Sequence, residues 1–212
     1  MFNNVYQGKK VLLTGHTGFK GTWLATWLLK LGANVVGVSK DIPTNPSLFE
    51  ILGLSDKIKH IVLDICDFEN INKIILEEKP DFVFHLAAQA IVSISYSDPL
   101  ETISSNVIGT TNILEALRVS NHKCTAIIVT SDKAYDNIEQ IWGYKENDQI
   151  GGKDIYSGSK GAAELIFKSF YHSFFKLRNS KIKVAVARAG NVIGGGDWAK
   201  DRIVVDAVSA WN

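Results

Sequence analysis

The chain has 212 residues, 46% of them apolar, and a formal net charge of +1. It is long enough to bury one sizeable core, and its balanced charge excludes an electrostatic case for nucleic acid or an anionic membrane surface. Its two cysteines, Cys66 and Cys124, stand far apart and its five histidines are scattered, so a reducing compartment and no metal are expected. Residues 1–6 carry neither a basic start nor an apolar stretch, and no apolar run is long enough for a bilayer, so no membrane partner and a cytoplasmic location are the default expectations.

Residues 11–13 are an apolar run that reads as a buried strand, and Gly15, Gly18 and Gly21 follow at a spacing of three. Residues 22–29 then read as a helix, with Gly32 as its C-cap. A strand that turns through glycines into a helix leaves backbone N–H groups free at the helix N-terminus, where they and the helix dipole favour a phosphate. Gly15 would make the turn, Gly18 would let backbone approach a pyrophosphate, and Gly21 would let helix and strand pack closely.

Further along, residues 35–38 read as a second strand, 46–52 as a short helix after a Pro43/Pro46 loop, and 58–63 as a third strand. Residues 68–78 read as a helix and 82–86 as a fourth strand. Asp98 and Pro99 open a long helix as N-cap and first residue, with Leu100, Ile103, Val107, Leu114 and Leu117 at helical period. Residues 126–129 are a fifth strand, about 155–178 a second long helix and 184–187 a sixth strand. Strands that are apolar throughout and alternate with helices indicate an α/β, doubly wound parallel sheet of the Rossmann type, strand order 3-2-1-4-5-6. The dinucleotide-binding domain is expected over residues 1–190. Residues 191–212, glycine-rich and then helical near Ile203, read as the start of a substrate lobe that is cut short.

The acid that often follows the second strand to hold the adenosine ribose is replaced by Ser39, followed by Lys40 and Asp41. Serine can bond a ribose hydroxyl, and Lys40 could tolerate a 2′-phosphate, so NAD is expected with NADP not excluded. Asp64, followed by Ile65, reads equally as a partner of the adenine amino group or as a helix N-cap. Ala87 and Ala88 are small enough for backbone to approach a cofactor. Tyr156 and Lys160, four residues apart, share one helix face. A free phenol titrates near pH ~10, and a nearby ammonium and an oxidised nicotinamide both favour phenolate. Tyr156 could then take a proton from a hydroxyl while Ser131, at the end of the fifth strand, bonds the same oxygen.

The motifs Thr14-Gly15-x-x-Gly18-x-x-Gly21, Leu86-Ala87-Ala88, Asn106-Val107-x-Gly109-Thr110 and Tyr156-x-x-x-Lys160 resemble the extended short-chain dehydrogenase/reductase family. The stretches 15–21, 43–49, 130–133 and 188–198 more narrowly resemble its nucleotide-sugar 4,6-dehydratases, those acting on CDP-glucose in particular. That resemblance implies an NAD-recycling lyase that oxidises C4 through Tyr156, eliminates water across C5 and C6, and returns hydride to C6. Relatives eliminate with an Asp-Glu pair; here it is Asp132-Lys133, with Asp132 donating to the leaving hydroxyl and Lys133 acting as base or as a cation beside the enolate.

The implied cofactor contacts include Thr17, Phe19, Gln89, Asn106 and Ala189, with Asn106 also supporting the active-site helix. The implied substrate contacts are Gln89, Ser131, Asn191, Asp197, Trp198 and Arg202. A family epimerase or reductase, or an inactive cofactor-binding fragment, are the competing readings; an epimerase needs no Asp132-Lys133 pair. Phe167, Phe170, Tyr171 and Phe174 form an apolar stripe that is either a homodimer seam, as the resemblance implies, or internal packing.

Overall fold

The computed structural model describes residues 2–211. Six strands, β1 (Lys10–Thr14), β2 (Asn34–Ser39), β3 (Lys59–Val62), β4 (Phe82–His85), β5 (Cys124–Ser131) and β6 (Ile182–Ala189), form one sheet in the expected order 3-2-1-4-5-6. Every neighbouring pair is parallel. The helices are α1 (Phe19–Lys30), α2 (Leu48–Ile51), α3 (Phe68–Glu78), α4 (Val92–Ser97), α5 (Pro99–Ile103), α6 (Gly109–Ser120), α7 (Ile155–Phe170) and α8 (Ile203–Trp211).

Successive residues of β1 point to opposite faces, so the core is in two layers. Val11 and Leu13 pack with Ala25 and Leu28 of α1 and with Phe49, whereas Leu12 packs with Val83, Ile113, Leu117 and Phe167 under α3, α6 and α7. Leu31 rather than Gly32 is the C-cap of α1; Gly32, one residue on at φ 79°, makes the left-handed turn. Asp67, not Asp64, caps α3 by accepting from the Asn70 backbone N–H.

The long helix opened by Asp98 and Pro99 is α5 and α6 joined by a π-helical turn at Ser104–Ile108. The apolar spacing of the sequence runs on through that turn, which is why it reads as unbroken, but Leu100 and Ile103 before the turn are exposed whereas Leu114 and Leu117 after it are buried. The second long helix stops at Phe170 and runs through a π-helical turn at Tyr171–Phe175, short of the expected 178. α4 has no apolar period and was not expected.

The aromatic stripe belongs to the core. Phe167 and Phe175 are buried, and Phe170 and Tyr171 pack against the core layer that contains Leu12, Ile113, Leu117 and Ile182. Phe174 alone is exposed, under the Arg118 guanidinium at 5.1 Å. No helix of the described residues is long and apolar enough to cross a membrane.

Candidate active site

The strands are all parallel, so their C-terminal ends lie along one edge of the sheet, where a fold of this class carries its ligand cleft. At its centre is the glycine turn. Gly15 adopts φ 74°, and a Cβ there would come within 2.7 Å of the Ala87 backbone nitrogen; one at Gly21 would lie 2.0 Å from the Gly15 carbonyl oxygen. A Cβ at Gly18 would meet nothing closer than 3.5 Å. Gly18 is also the N-cap of α1, and no side chain caps that helix. The first turn of α1 therefore presents uncapped N–H groups behind a residue with no side chain, which suits a pyrophosphate.

His16 is bulky for such a turn, but its ring is fully buried and directed at Gly37, where a Cβ would sit 2.4 Å from the imidazole. Its Nδ1 lies 3.0 Å from the Ser39 hydroxyl and its Nε2 2.7 Å from His60 Nδ1. Burial first, and then His60, push its pKa down to about 4. Ser39 is thus committed to the loop; its hydroxyl also accepts from the Thr17 backbone N–H at 3.4 Å. The Thr17 hydroxyl donates to the Asp41 carbonyl at 2.7 Å, and Phe19 begins α1. Asp64 Oδ1 accepts from the Cys66 N–H at 2.8 Å, while the Ile65 side chain fills the space beside Gly109.

A hydrogen-bonded chain that the sequence reading missed runs beneath the cleft. The Ala87 N–H donates to Thr14 Oγ1 at 3.2 Å, and Thr14 Oγ1 lies 2.7 Å from His85 Nδ1. His85 Nε2 lies 3.2 Å from Thr110 Oγ1, which donates to the Asn106 carbonyl at 2.7 Å. Thr110 spends its only hydroxyl proton on that carbonyl, so His85 must carry its proton on Nε2 and accept from Thr14 on Nδ1. Burial, with a smaller effect of Lys160, holds its pKa down to about 3, so the imidazole is neutral.

Asn106, turned inward by the π-helical turn, accepts from the Gln89 N–H at 2.9 Å and donates to the Gln89 carbonyl at 3.1 Å and to Ser159 Oγ at 2.9 Å. Ser159 Oγ donates to the Tyr156 carbonyl at 2.7 Å. The signal in the sequence was a polar residue ending each of two apolar strands; Thr14 and His85 are register partners.

Asp154 caps α7 by accepting from the Ser157 N–H at 2.9 Å, and this fixes the first turn that carries Tyr156 and Lys160. Both are nearly buried, 7% and 6% exposed, with Lys160 Nζ 5.7 Å from the centre of the Tyr156 ring. Burial, together with Lys20, pushes Lys160 down to about 8. Burial pushes the Tyr156 phenol up, and the Ser131 hydroxyl pulls the other way. The upward result differs from the sequence expectation because desolvation outweighs the nearby charges in the protein alone. The Ser131 hydroxyl donates to Asp132 Oδ1 at 2.9 Å and accepts from the Lys133 N–H at 3.2 Å. Asp132 and Lys133 are exposed.

The strand ends behind this site are fixed by a second cluster that the sequence reading did not single out. Buried Glu164 on α7 receives Arg188 Nε at 2.8 Å and Nη2 at 2.5 Å from β6, and Thr130 Oγ1 at 2.6 Å from β5. The Arg188 guanidinium lies 4.3 Å over the Tyr135 ring.

Beyond Ala189, Gly190 lies 4.0 Å from Asp132 Oδ2, measured from a Cβ built on it, and Asn191 is exposed. Trp23 Nε1 donates to the Gly195 carbonyl at 3.0 Å, and Ser93 Oγ donates to Asp201 across the cleft. Asp197 pairs with Arg202 at 3.6 Å and accepts from the Ala199 N–H, with Trp198 exposed between them. The Arg202 charge favours phenolate at Tyr156 and lowers the Lys20 pKa.

The parallel sheet in this order, the glycine turn into α1 and the buried Tyr-x-x-x-Lys pair are the features on which the resemblance to extended short-chain dehydrogenases/reductases rests. Residues 12–183 match the GDP-mannose 4,6 dehydratase family, and the chain belongs to that family. It is 50% identical over 211 residues to CDP-glucose 4,6-dehydratase of Salmonella typhimurium, covering 98% of this chain and 59% of that relative. Pal from Bacillus thuringiensis has the same fold (TM-score 0.80, 28% identity, 94% of this chain and 62% of the other). So does MoeE5 solved with UDP-glucose and NAD (TM-score 0.76, 25% identity, 95% and 60%). The chain thus spans about three-fifths of each of these relatives.

Proposed function

We propose that this chain is the NAD-binding and catalytic portion of a CDP-glucose 4,6-dehydratase. The observation that carries the reading is the buried Tyr156–Lys160 pair standing beside Ser131, Asp132 and Lys133, above a glycine turn whose open N–H groups suit a pyrophosphate. The likeness to the Salmonella enzyme supports the sugar nucleotide, and MoeE5 supports the cofactor.

In this reading Gly15, Thr17, Gly18, Phe19 and Gly21 hold the pyrophosphate. Ile65 and Asp64 hold the adenine, and Ala87, Ala88, Gln89 and Ala189 line the path to the nicotinamide. The bound nicotinamide supplies a hydride acceptor and then a donor, and its positive ring adds the pull toward phenolate that burial opposes. Tyr156 accepts the C4 hydroxyl proton, with Ser131 bonded to the same oxygen. Lys160 holds the nicotinamide ribose and Asn106 fixes the helix that carries both residues. Asp132 protonates the leaving C6 hydroxyl, and Lys133 acts at C5 as base or as counter-charge to the enolate. Asn191, Asp197, Trp198 and Arg202 begin the substrate lobe over residues 191–212. A homodimer pairs through the outward faces of α5, α6 and α7.

The test is incubation of the chain with NAD and CDP-glucose, read by the alkali-induced absorbance of a 4-keto-6-deoxy sugar. Product from the wild type and none from Tyr156→Phe is the expected result. Cofactor binding without product would limit the chain to binding.

A further inference from the structure

In dinucleotide-binding folds the side chain just past the second strand meets the 2′ position of the adenosine ribose. A carboxylate there accepts the ribose hydroxyls, whereas a cation there accommodates a 2′-phosphate. In this chain the residue at that place, Ser39, is 6% exposed and its hydroxyl is spent on His16 and the Thr17 N–H. The next side chain is Lys40, which by itself marks a site that accepts NADP.

The ammonium of Lys40 is not free. It is bonded to Glu101 Oε1 on α5, sixty-one residues away. Glu101 is held in turn by the Ser105 hydroxyl at 2.9 Å, one turn along the same helical rod. Asp64 from the end of β3 and Asp41 act on Lys40 as well, and the three carboxylates together raise its pKa. The Thr17 hydroxyl bonded to the Asp41 carbonyl folds this turn against the glycine loop. At the adenosine end of the cleft, then, one ammonium is set against three carboxylates, one on α5 and one in each of the segments that follow β2 and β3.

We infer that Glu101 makes this site select NAD over NADP, by occupying Lys40 and leaving the 2′ edge of the ribose negatively charged. This rests on the cleft being a dinucleotide site. An uncharged 2′-hydroxyl tolerates the arrangement, whereas a 2′-phosphate meets carboxylates and finds no cation to pair with. The pair is partly exposed, with side-chain exposures of 45% and 33%, so it adds little to fold stability, and its effect is felt through the ligand's charge.

The experiment measures NAD and NADP dissociation constants by calorimetry at low ionic strength for the wild type, Glu101→Gln, and Glu101→Gln combined with Lys40→Met. Glutamine keeps the shape and the bond from Ser105 while removing the charge. The wild type should favour NAD. In Glu101→Gln the ratio of the NADP to the NAD constant should fall on the order of ten-fold, and the fall should shrink as salt is added. Adding Lys40→Met should return the ratio toward that of the wild type, because the freed ammonium is what would take the phosphate.

A ratio unmoved by Glu101→Gln, or a fall that persists without Lys40, overturns the inference while leaving the dinucleotide site standing. A wild type that favours NADP also overturns it. A wild type that binds neither cofactor overturns the dinucleotide reading and this inference with it.

Discussion

Lys160 carries its charge inside the protein, and that has a cost measurable without turnover. Its pKa is about 8 in the fold against 10.5 for the free side chain, with burial the main cause. Below pH 8 both folded and unfolded chains hold the proton, and the fold bears the full desolvation penalty. Between 8 and 10.5 the unfolded chain binds more protons than the folded one, so unfolding free energy rises with pH. The penalty at neutrality is roughly 3 kcal/mol. Lys160→Met should therefore stabilise the chain by about 1–3 kcal/mol at pH 7 in urea unfolding, and the difference should narrow as pH approaches 10. A difference that stays constant with pH would show that the ammonium is not desolvated. The spacing of Tyr156 and Lys160 made the pair legible in the sequence; the balance between burial and charge was not, because it depends on the packing of α7 against the sheet.

The elements divide by how locally they are specified. The glycine turn, the Asp98-Pro99 start and the apolar strands are written in consecutive residues, and each formed as read. The π-helical turns are not written that way. Each adds a residue to a helical turn without breaking the apolar pattern, and one of them turns Asn106 inward. The aromatic stripe was ambiguous for a related reason: helical period gives a face but not what covers it. Here the core layer on the α6 face of the sheet covers most of it. Phe170→Ala should cost about 2 kcal/mol in unfolding free energy, as a half-buried aromatic against the core, and Phe174→Ala well under 1 kcal/mol. Equal costs would mean that Phe174 is packed as deeply as Phe170.

For the whole molecule, the proposed homodimer rests on what α5, α6 and α7 leave uncovered. Ile103 is 40% and Leu165 54% exposed, with Leu100 and Ile108 nearby on the same rod. Because Ile103 and Leu165 are exposed in the single chain, charging them does not threaten the core. On the proposed homodimer, Ile103→Glu combined with Leu165→Glu should convert a dimeric wild type into a folded monomer by sedimentation; a wild type that is already monomeric, or a variant that remains dimeric, overturns this seam. The bonded chain under the cleft has a different kind of consequence. Thr14, His85, Thr110, Asn106 and Ser159 come from β1, β4, α6, the π-helical turn and α7, and all five are buried. The Nε2 proton of His85 therefore has no local route to water. Its lifetime in deuterated solvent should then serve as a clock for opening of the domain beneath the proposed dinucleotide cleft.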